Sequence, residues 1–171
     1  MKEFSDSIKN LLTNLKNDFQ EILLPPEIGL PASGQQVIPK GVFVGTRTYL
    51  ETIAHQANGC YESGWYDACS VMLRRFIETL IIEAFEAYKI DNKIKNSNGD
   101  FFYLSDLISS TLAEKTWNLS RNTRRSLPKL KDLGDKSAHS RRFIALRNDL
   151  DKLIPDIRVV TQELVLLAKL K

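Results

Sequence analysis

Apolar residues recur every three or four positions along most of this 171-residue chain. The first segment shows the spacing at Phe4, Ile8 and Leu11, and the pattern continues to Ile22. Steps of three and four match the turn of an α-helix, whereas a half-buried strand alternates at every second residue. The sequence therefore predicts an all-α fold.

Proline and glycine residues divide this pattern into segments. Pro25 removes a backbone donor and clashes with the preceding turn, and Gly64 and Gly99 interrupt the spacing as well. Gly134 has the placement of a left-handed helix cap, and Pro155 predicts a kink or a late start in the last helix. The helices are predicted at residues 2–24, 46–61, 65–88, 101–115, 127–133 and 148–170. Their order predicts an up-and-down antiparallel helical bundle.

The N-terminal quarter of the chain differs in composition from the rest. Residues 25–46 hold four of the six Pro and four of the eight Gly, which is typical of a linker or an extended arm. A short strand at residues 42–44 is an alternative for the end of this arm. Residues 1–45 are therefore predicted to form a helix and a Pro/Gly-rich arm, and residues 46–171 the bundle.

The few cysteine and histidine residues limit the disulfides and metal sites that this chain can form. Two Cys cannot form a disulfide framework, and the longest apolar run has five residues, so a cytoplasmic protein without a membrane segment is expected. The Cys and His residues have no zinc-type spacing, and a structural role is favoured for them. No metal and no cofactor are predicted.

Basic residues concentrate in one part of the chain. Residues 115–147 contain ten Lys or Arg and two Asp, a net charge of +8, so the remaining residues carry −5. Such segregation predicts a surface that faces a polyanion, although a solvated helical face has the same composition. The residues predicted to border an anion-binding groove together with His139 are Arg121, Arg124, Arg125, Lys131, Lys136, Arg141 and Arg142.

His139 is the candidate catalytic residue. If it lies near a helix start among cations, as the predicted break at Gly134 implies, its imidazole is expected to be neutral. A neutral imidazole can act as a general base towards a ribose 2′-hydroxyl, while Lys136 and Arg141 stabilise the developing negative charge. The alternative is a histidine that caps or packs against a neighbouring helix.

Arg74 and Glu78 form a second candidate polar feature. Their spacing of four residues suits an ion pair within one helix. The pair is either a modest surface contact or part of a polar network inside the bundle. The sequence leaves both alternatives open.

Two segments of the chain resemble the HEPN superfamily. Residues 59–68, which read Gly-Cys-Tyr-Glu-Ser-Gly-Trp-Tyr-Asp-Ala, and residues 74–78 resemble the helix start and the Arg-containing turn of that superfamily. Residues 133–139, which read Leu-Gly-Asp-Lys-Ser-Ala-His, resemble the Gly-Asn-x-x-Ala-His variant of one branch. The resemblance extends over residues 46–169 and implies a helical bundle that forms a homodimer. The two apolar faces of the helix at 65–88, combined with the long apolar stripe of the last helix, also predict a dimer.

The resemblance implies a function connected with RNA. Ribonuclease members of the superfamily cut RNA without metal, often as toxins or in defence against phage, with an Arg that precedes the His by a few residues. No Arg occupies those positions before His139 in this chain. The leading hypothesis is therefore an RNA-binding or regulatory domain without catalysis. The alternatives are a metal-independent endoribonuclease with a rearranged basic site and a dimeric module that binds a partner protein.

Overall fold

The computed structural model of this protein describes residues 7–15 and 34–171. Within these residues the backbone forms helices and one isolated antiparallel bridge, between Lys95 and Phe101, and it forms no strand. The all-α prediction is confirmed. The helices are α1 (residues 7–15), α2 (Lys40–Phe43), α3 (Thr48–Glu62), α4 (Tyr66–Ala87), a 3₁₀ turn (Asp91–Ile94), α5 (Leu104–Ala113), α6 (Arg121–His139), α7 (Arg147–Asp151) and α8 (Ile154–Leu167).

Helix α4 lies at the centre of the bundle and contacts α3, α5, α6 and α8. The ion pair between Arg47, just before α3, and Glu83, near the end of α4, shows that these two helices are antiparallel. Helices α6 and α8 are antiparallel too, because Glu163 in α8 contacts Ser120 before α6. The up-and-down arrangement predicted by the helix order is present, and the four surrounding helices cover most of the apolar surface of α4.

The largest difference from the sequence prediction concerns α6. The predicted helix 127–133 was too short at both ends, and the prediction that Gly134 ends it was wrong. Ser120 caps the true start by accepting a hydrogen bond from the Thr123 N–H at 3.2 Å. Gly134 is buried inside the helix, because a neighbouring helix approaches closely there, and α6 continues to His139. Pro128 therefore lies in the interior of α6 and not in its first turn.

The last predicted helix is divided in two. Helix α7 ends at Asp151, and α8 begins at Ile154 with Pro155 in its first turn, which confirms the predicted late start. Proline is tolerated there because the first N–H groups of a helix have no partner within it. The hydroxyl of buried Tyr61 in α3 donates a hydrogen bond to Asp151 and so attaches α7 to the bundle.

The described end of the N-terminal arm packs into the bundle. Residues 42–44, for which a strand was an alternative, include the end of the short helix α2 instead. Val37, Ile38 and Phe43 are fully buried in the same core as the long helices. The side chain of Asn58 in α3 holds this segment by bonding both the N–H and the C=O of Ile38, at 2.9 and 2.8 Å.

The predicted helix at residues 2–24 falls partly outside the described residues. Its described part, residues 7–15, is helical, and every residue in it is exposed. Among the residues that the structure describes, no helix combines the length and the apolar character needed to cross a membrane.

Candidate nucleic-acid interface

Helix α6 has one buried face and one exposed, mostly basic face. Thr123, Leu127 and Leu130 are among the residues that it buries against the core. Because α6 has 19 residues, it is about 27 Å long from its first to its last Cα. The exposed residues on the side opposite the core include Pro128 and the polar residues Arg121, Arg125, Lys129, Asp132, Lys136 and His139. We call Arg121, Arg125, Lys129 and Lys136 the basic row.

The four cations of the basic row differ in their partners. The Lys136 ammonium lies 2.7 Å from a carboxylate oxygen of Asp132, and the Lys129 ammonium lies 3.6 Å from one of Asp156. Ion pairs at the surface contribute little to stability, and salt screens them. Within residues 7–15 and 34–171, Arg121 and Arg125 have no hydrogen-bond or ion-pair partner. The N-terminal half of the row is therefore open to an external anion.

The electrostatics of a helix favour anions at this end of α6. The N-terminus of a helix carries partial positive charge, so arginines in the first turns reduce the stability of the helix. Arg121, Arg124 and Arg125 all occupy those turns, where acidic residues are the stabilising choice. The Glu163 carboxylate of α8 offsets part of this positive potential at Ser120 and Thr123, and an external polyanion that contacts the exposed Arg121 and Arg125 would offset more of it.

Two of the residues predicted to bind nucleic acid have structural partners. Arg124 donates hydrogen bonds to the carbonyls of Leu119 and Leu112, at 3.2 and 3.0 Å, and so closes the loop before α6. Lys131 donates to the carboxylate of Asp135 one turn further along α6. Arg141 and Arg142 are exposed in the segment after α6.

The predicted residues are not gathered in one groove. Arg121 and His139 share the exposed side of α6 but lie at its two ends, about 27 Å apart along the axis. His139 is the last residue of the helix, not near a helix start, because Gly134 does not interrupt α6. A helix end carries partial negative charge, so the argument for a neutral imidazole from a helix start does not apply.

The structure shows which candidate catalytic groups surround His139. Its side chain is exposed, and it makes no hydrogen bond with the residues that the structure describes. Lys136 lies one turn earlier on the same face and pairs with Asp132. Arg141 follows two residues later. A general base is normally oriented by a second group, and the described part of the chain provides none for this ring.

Arg74 and Glu78 belong to a network between α4 and α6, which answers the question left open by the sequence. Arg74 donates to Asp135 at 2.8 Å and to Glu78 at 3.3 Å, and Asp135 also accepts from Lys131. Their side chains are between 24% and 30% exposed, so the network is partly buried. Burial alone would raise the pKa of Asp135, but the hydrogen bonds from Lys131 and Arg74 outweigh it and hold that pKa below its usual value.

Glu163 fixes the N-terminus of α6, and sequence reasoning missed it. Its carboxylate accepts hydrogen bonds from the N–H and the hydroxyl of Ser120, both at 2.6 Å, and from the hydroxyl of Thr123. Burial raises the pKa of Glu163, yet these hydrogen bonds and nearby Arg124 bring it below its usual value. Ser120 is a favoured helix-capping residue type, and this property was the available indication that α6 starts there.

A cleft of about 300 Å³ lies beside the C-terminal half of the basic row. Its lining contains the exposed residues Lys129, Lys136 and Lys152, together with the carboxylates of exposed Asp132 and half-buried Asp149. Less exposed side chains, among them Phe143 and Leu153, form its apolar part. His139 does not line this cleft. Lys152 and Phe143 were not singled out by the sequence, because they are separated from the row along the chain.

Comparison with known proteins identifies no relative of this chain, so its site is interpreted from its own residues. No protein-family model, no curated protein and no solved structure matches this chain. In the part of the chain that the structure covers, no group of three or more His, Cys, Asp or Glu side chains is arranged to hold a metal ion.

Proposed function

We propose that this protein binds the phosphate backbone of RNA along the basic row of α6, as an RNA-binding or regulatory domain. The observation that carries the proposal is the alignment of four cations on one exposed helix face. Two of them, Arg121 and Arg125, have no partner among the described residues, and they stand at the positive end of the helix.

The spacing of the row suits an extended polyanion. Residues four positions apart on a helix are separated by about 6 Å along its axis, so Arg121, Arg125 and Lys129 form steps of that size. Each cation that neutralises a phosphate releases counterions, which gives the binding free energy a large dependence on salt. Phosphate contacts of this kind position a nucleic acid without reading its sequence.

The choice of RNA among polyanions rests on the family resemblance. Residues 59–68, 74–78 and 133–139 resemble the HEPN superfamily, whose ribonuclease members act on RNA. In the structure Gly134 contacts Arg74, and His139 lies at the C-terminal end of the basic row. Both positions are compatible with the resemblance. A DNA strand of equal length in the same assay distinguishes RNA from nucleic acid in general.

The experiment is an equilibrium binding measurement with fluorescently labelled single-stranded RNA in EDTA, followed by anisotropy. Arg125→Glu is expected to weaken binding roughly tenfold, because it removes one phosphate contact and adds a repulsive charge. The matched control is Lys40→Glu, which changes the net charge equally in α2, a helix that contacts α3 and α8. Equal effects of the two variants, or no binding by the wild type, would reject the basic row as the interface.

A metal-independent endoribonuclease is the second candidate. The observation in its favour is that His139 is exposed one turn from Lys136, where a ribose hydroxyl can reach the imidazole. The same RNA incubated in EDTA and analysed on a denaturing gel tests it. Cleavage that is lost in His139→Ala, with RNA binding retained, would establish the nuclease, and intact RNA would leave the binding function alone.

A further inference from the structure

The cleft beside the basic row carries an inference that rests on the proposed function and deepens it. We propose that this cleft holds one unstacked base of single-stranded RNA while the neighbouring lysines contact the flanking phosphates. The site would make the protein selective for single strands, a property that the basic row alone does not confer.

The apolar part of the cleft suits the face of a base. Phe143 is half-buried: its side chain packs against the hydrophobic core and also lines the cleft. The contact with the core restricts the movement of the ring. Leu153, also half-buried, lines the same cleft. Stacking on an aromatic ring is the commonest way in which proteins hold a base of a single strand, because every base has a π-face. The volume of about 300 Å³ is at the lower end for small-molecule sites, which suits one such group.

Lysines reach the cleft from two directions. Lys129 and Lys136 belong to the basic row on α6, whereas Lys152 follows α7 and has no side-chain partner in the described residues. A strand that runs along the row would therefore have ammonium groups on both sides of a base held in the cleft. Lys152 thereby extends the phosphate contacts beyond α6.

The carboxylates of the cleft favour a base over a phosphate. Asp132 is paired with Lys136, and Asp149 accepts a hydrogen bond from the Leu146 N–H at 3.0 Å through one of its oxygens. The other oxygen of Asp149 remains an acceptor. A carboxylate repels a phosphate but accepts hydrogen bonds from the amino groups of cytosine, adenine and guanine.

The test compares three labelled RNAs of equal length: a single strand of mixed sequence, the same strand with abasic positions, and a duplex. Wild type is expected to bind the ordinary single strand at least fivefold more tightly than the abasic strand. Phe143→Leu, which keeps an apolar side chain without the aromatic face, is expected to weaken the ordinary strand roughly fivefold and to leave the abasic strand unchanged. The matched control is Phe102→Leu, a half-buried phenylalanine that also packs on the core but lies before α5.

The outcomes separate this inference from the proposed function. If wild type binds ordinary and abasic strands equally, or if Phe143→Leu weakens both alike, the base site is rejected and the basic row stands. If wild type binds no RNA, both are rejected. The wild-type comparison needs no variant, so it decides the question even if Phe143→Leu fails to fold. Lys152→Ala is expected to weaken both strands by a similar factor, and no effect of it on either strand would contradict a phosphate contact beyond α6.

Discussion

Gly134 of α6 lies directly against the side chain of Arg74 of α4. A Cβ atom placed on Gly134 would stand 2.7 Å from the Cβ of Arg74 and 3.2 Å from its Cγ and Cδ. This close approach brings the guanidinium of Arg74 within 2.8 Å of Asp135, the next residue of α6. The glycine therefore sets the distance between two central helices and makes the polar network between them possible.

The first prediction concerns this helix contact. Gly134→Ala is expected to lower the free energy of unfolding by about 1–2 kcal/mol, because overlap with Arg74 outweighs the better helix propensity of alanine. Gly59→Ala is the matched control, since Gly59 also lies inside a helix but no atom approaches its Cβ position within 4 Å. That variant is expected to gain about 0.5–1 kcal/mol. Urea unfolding measures both, and changes of equal sign would contradict the steric explanation.

The second prediction concerns the network between α4 and α6. Asp135→Asn is expected to lower the free energy of unfolding by about 1–3 kcal/mol, because it removes the charge that holds Arg74 and Lys131 in a partly buried place. Asp132→Asn, in the exposed pair with Lys136, is expected to cost less than about 0.5 kcal/mol. Thermal or urea unfolding of the two variants is the measurement. If Asp132→Asn lowers the free energy of unfolding as much as Asp135→Asn does, partial burial of the network does not explain its contribution to stability.

The third prediction is a dependence of stability on acid. The folded state holds the pKa of Glu163 below its usual value, so the carboxylate stabilises the fold above that usual value. This stabilisation is expected to disappear as the pH falls from the usual value of 4.5 through the lower pKa of the folded state. Glu163→Gln is therefore expected to be less stable than wild type at pH 7 and to approach it as the pH falls. Unfolding curves between pH 7 and pH 3 measure the difference.

The control for acid stability is Glu86→Gln, an exposed residue of α4 without a side-chain partner among the described residues. The stability of this variant is expected to follow that of wild type over the same pH range. A constant difference between Glu163→Gln and wild type at every pH would show that Glu163 acts by packing and not by its charge.

The sequence predicted the elements that depend on local pattern. Helices α3 and α4 begin and end within two residues of their predicted limits, because apolar spacing and the break at Gly64 determine them. The course of α6 depends instead on contacts between distant residues. Glu163 stabilises its start from another helix, and the close approach of Arg74 accounts for a glycine in the interior of α6. Neither fact is visible in the local sequence.

The sequence predicted the positive charge of the candidate site but not the positions of its side chains. The basic segment was evident, but only the structure shows that Lys131 is used in the network and that Arg121 and Arg125 are without partners among the described residues. The homodimer stays a prediction. The apolar faces of helix α4, which contributed to the dimer prediction, are covered by α3, α5, α6 and α8 within one chain. Light scattering at tens of micromolar measures the oligomeric state directly.

The salt dependence of RNA binding tests the central claim most directly. If the basic row contacts phosphates, the logarithm of the binding constant falls linearly with the logarithm of the salt concentration, by about 0.7 for each phosphate on a single strand. Arg121→Gln combined with Arg125→Gln is expected to reduce the magnitude of this slope by roughly 1.4, whereas Lys40→Gln leaves it unchanged. A slope that is the same in wild type and in the double variant would contradict the account.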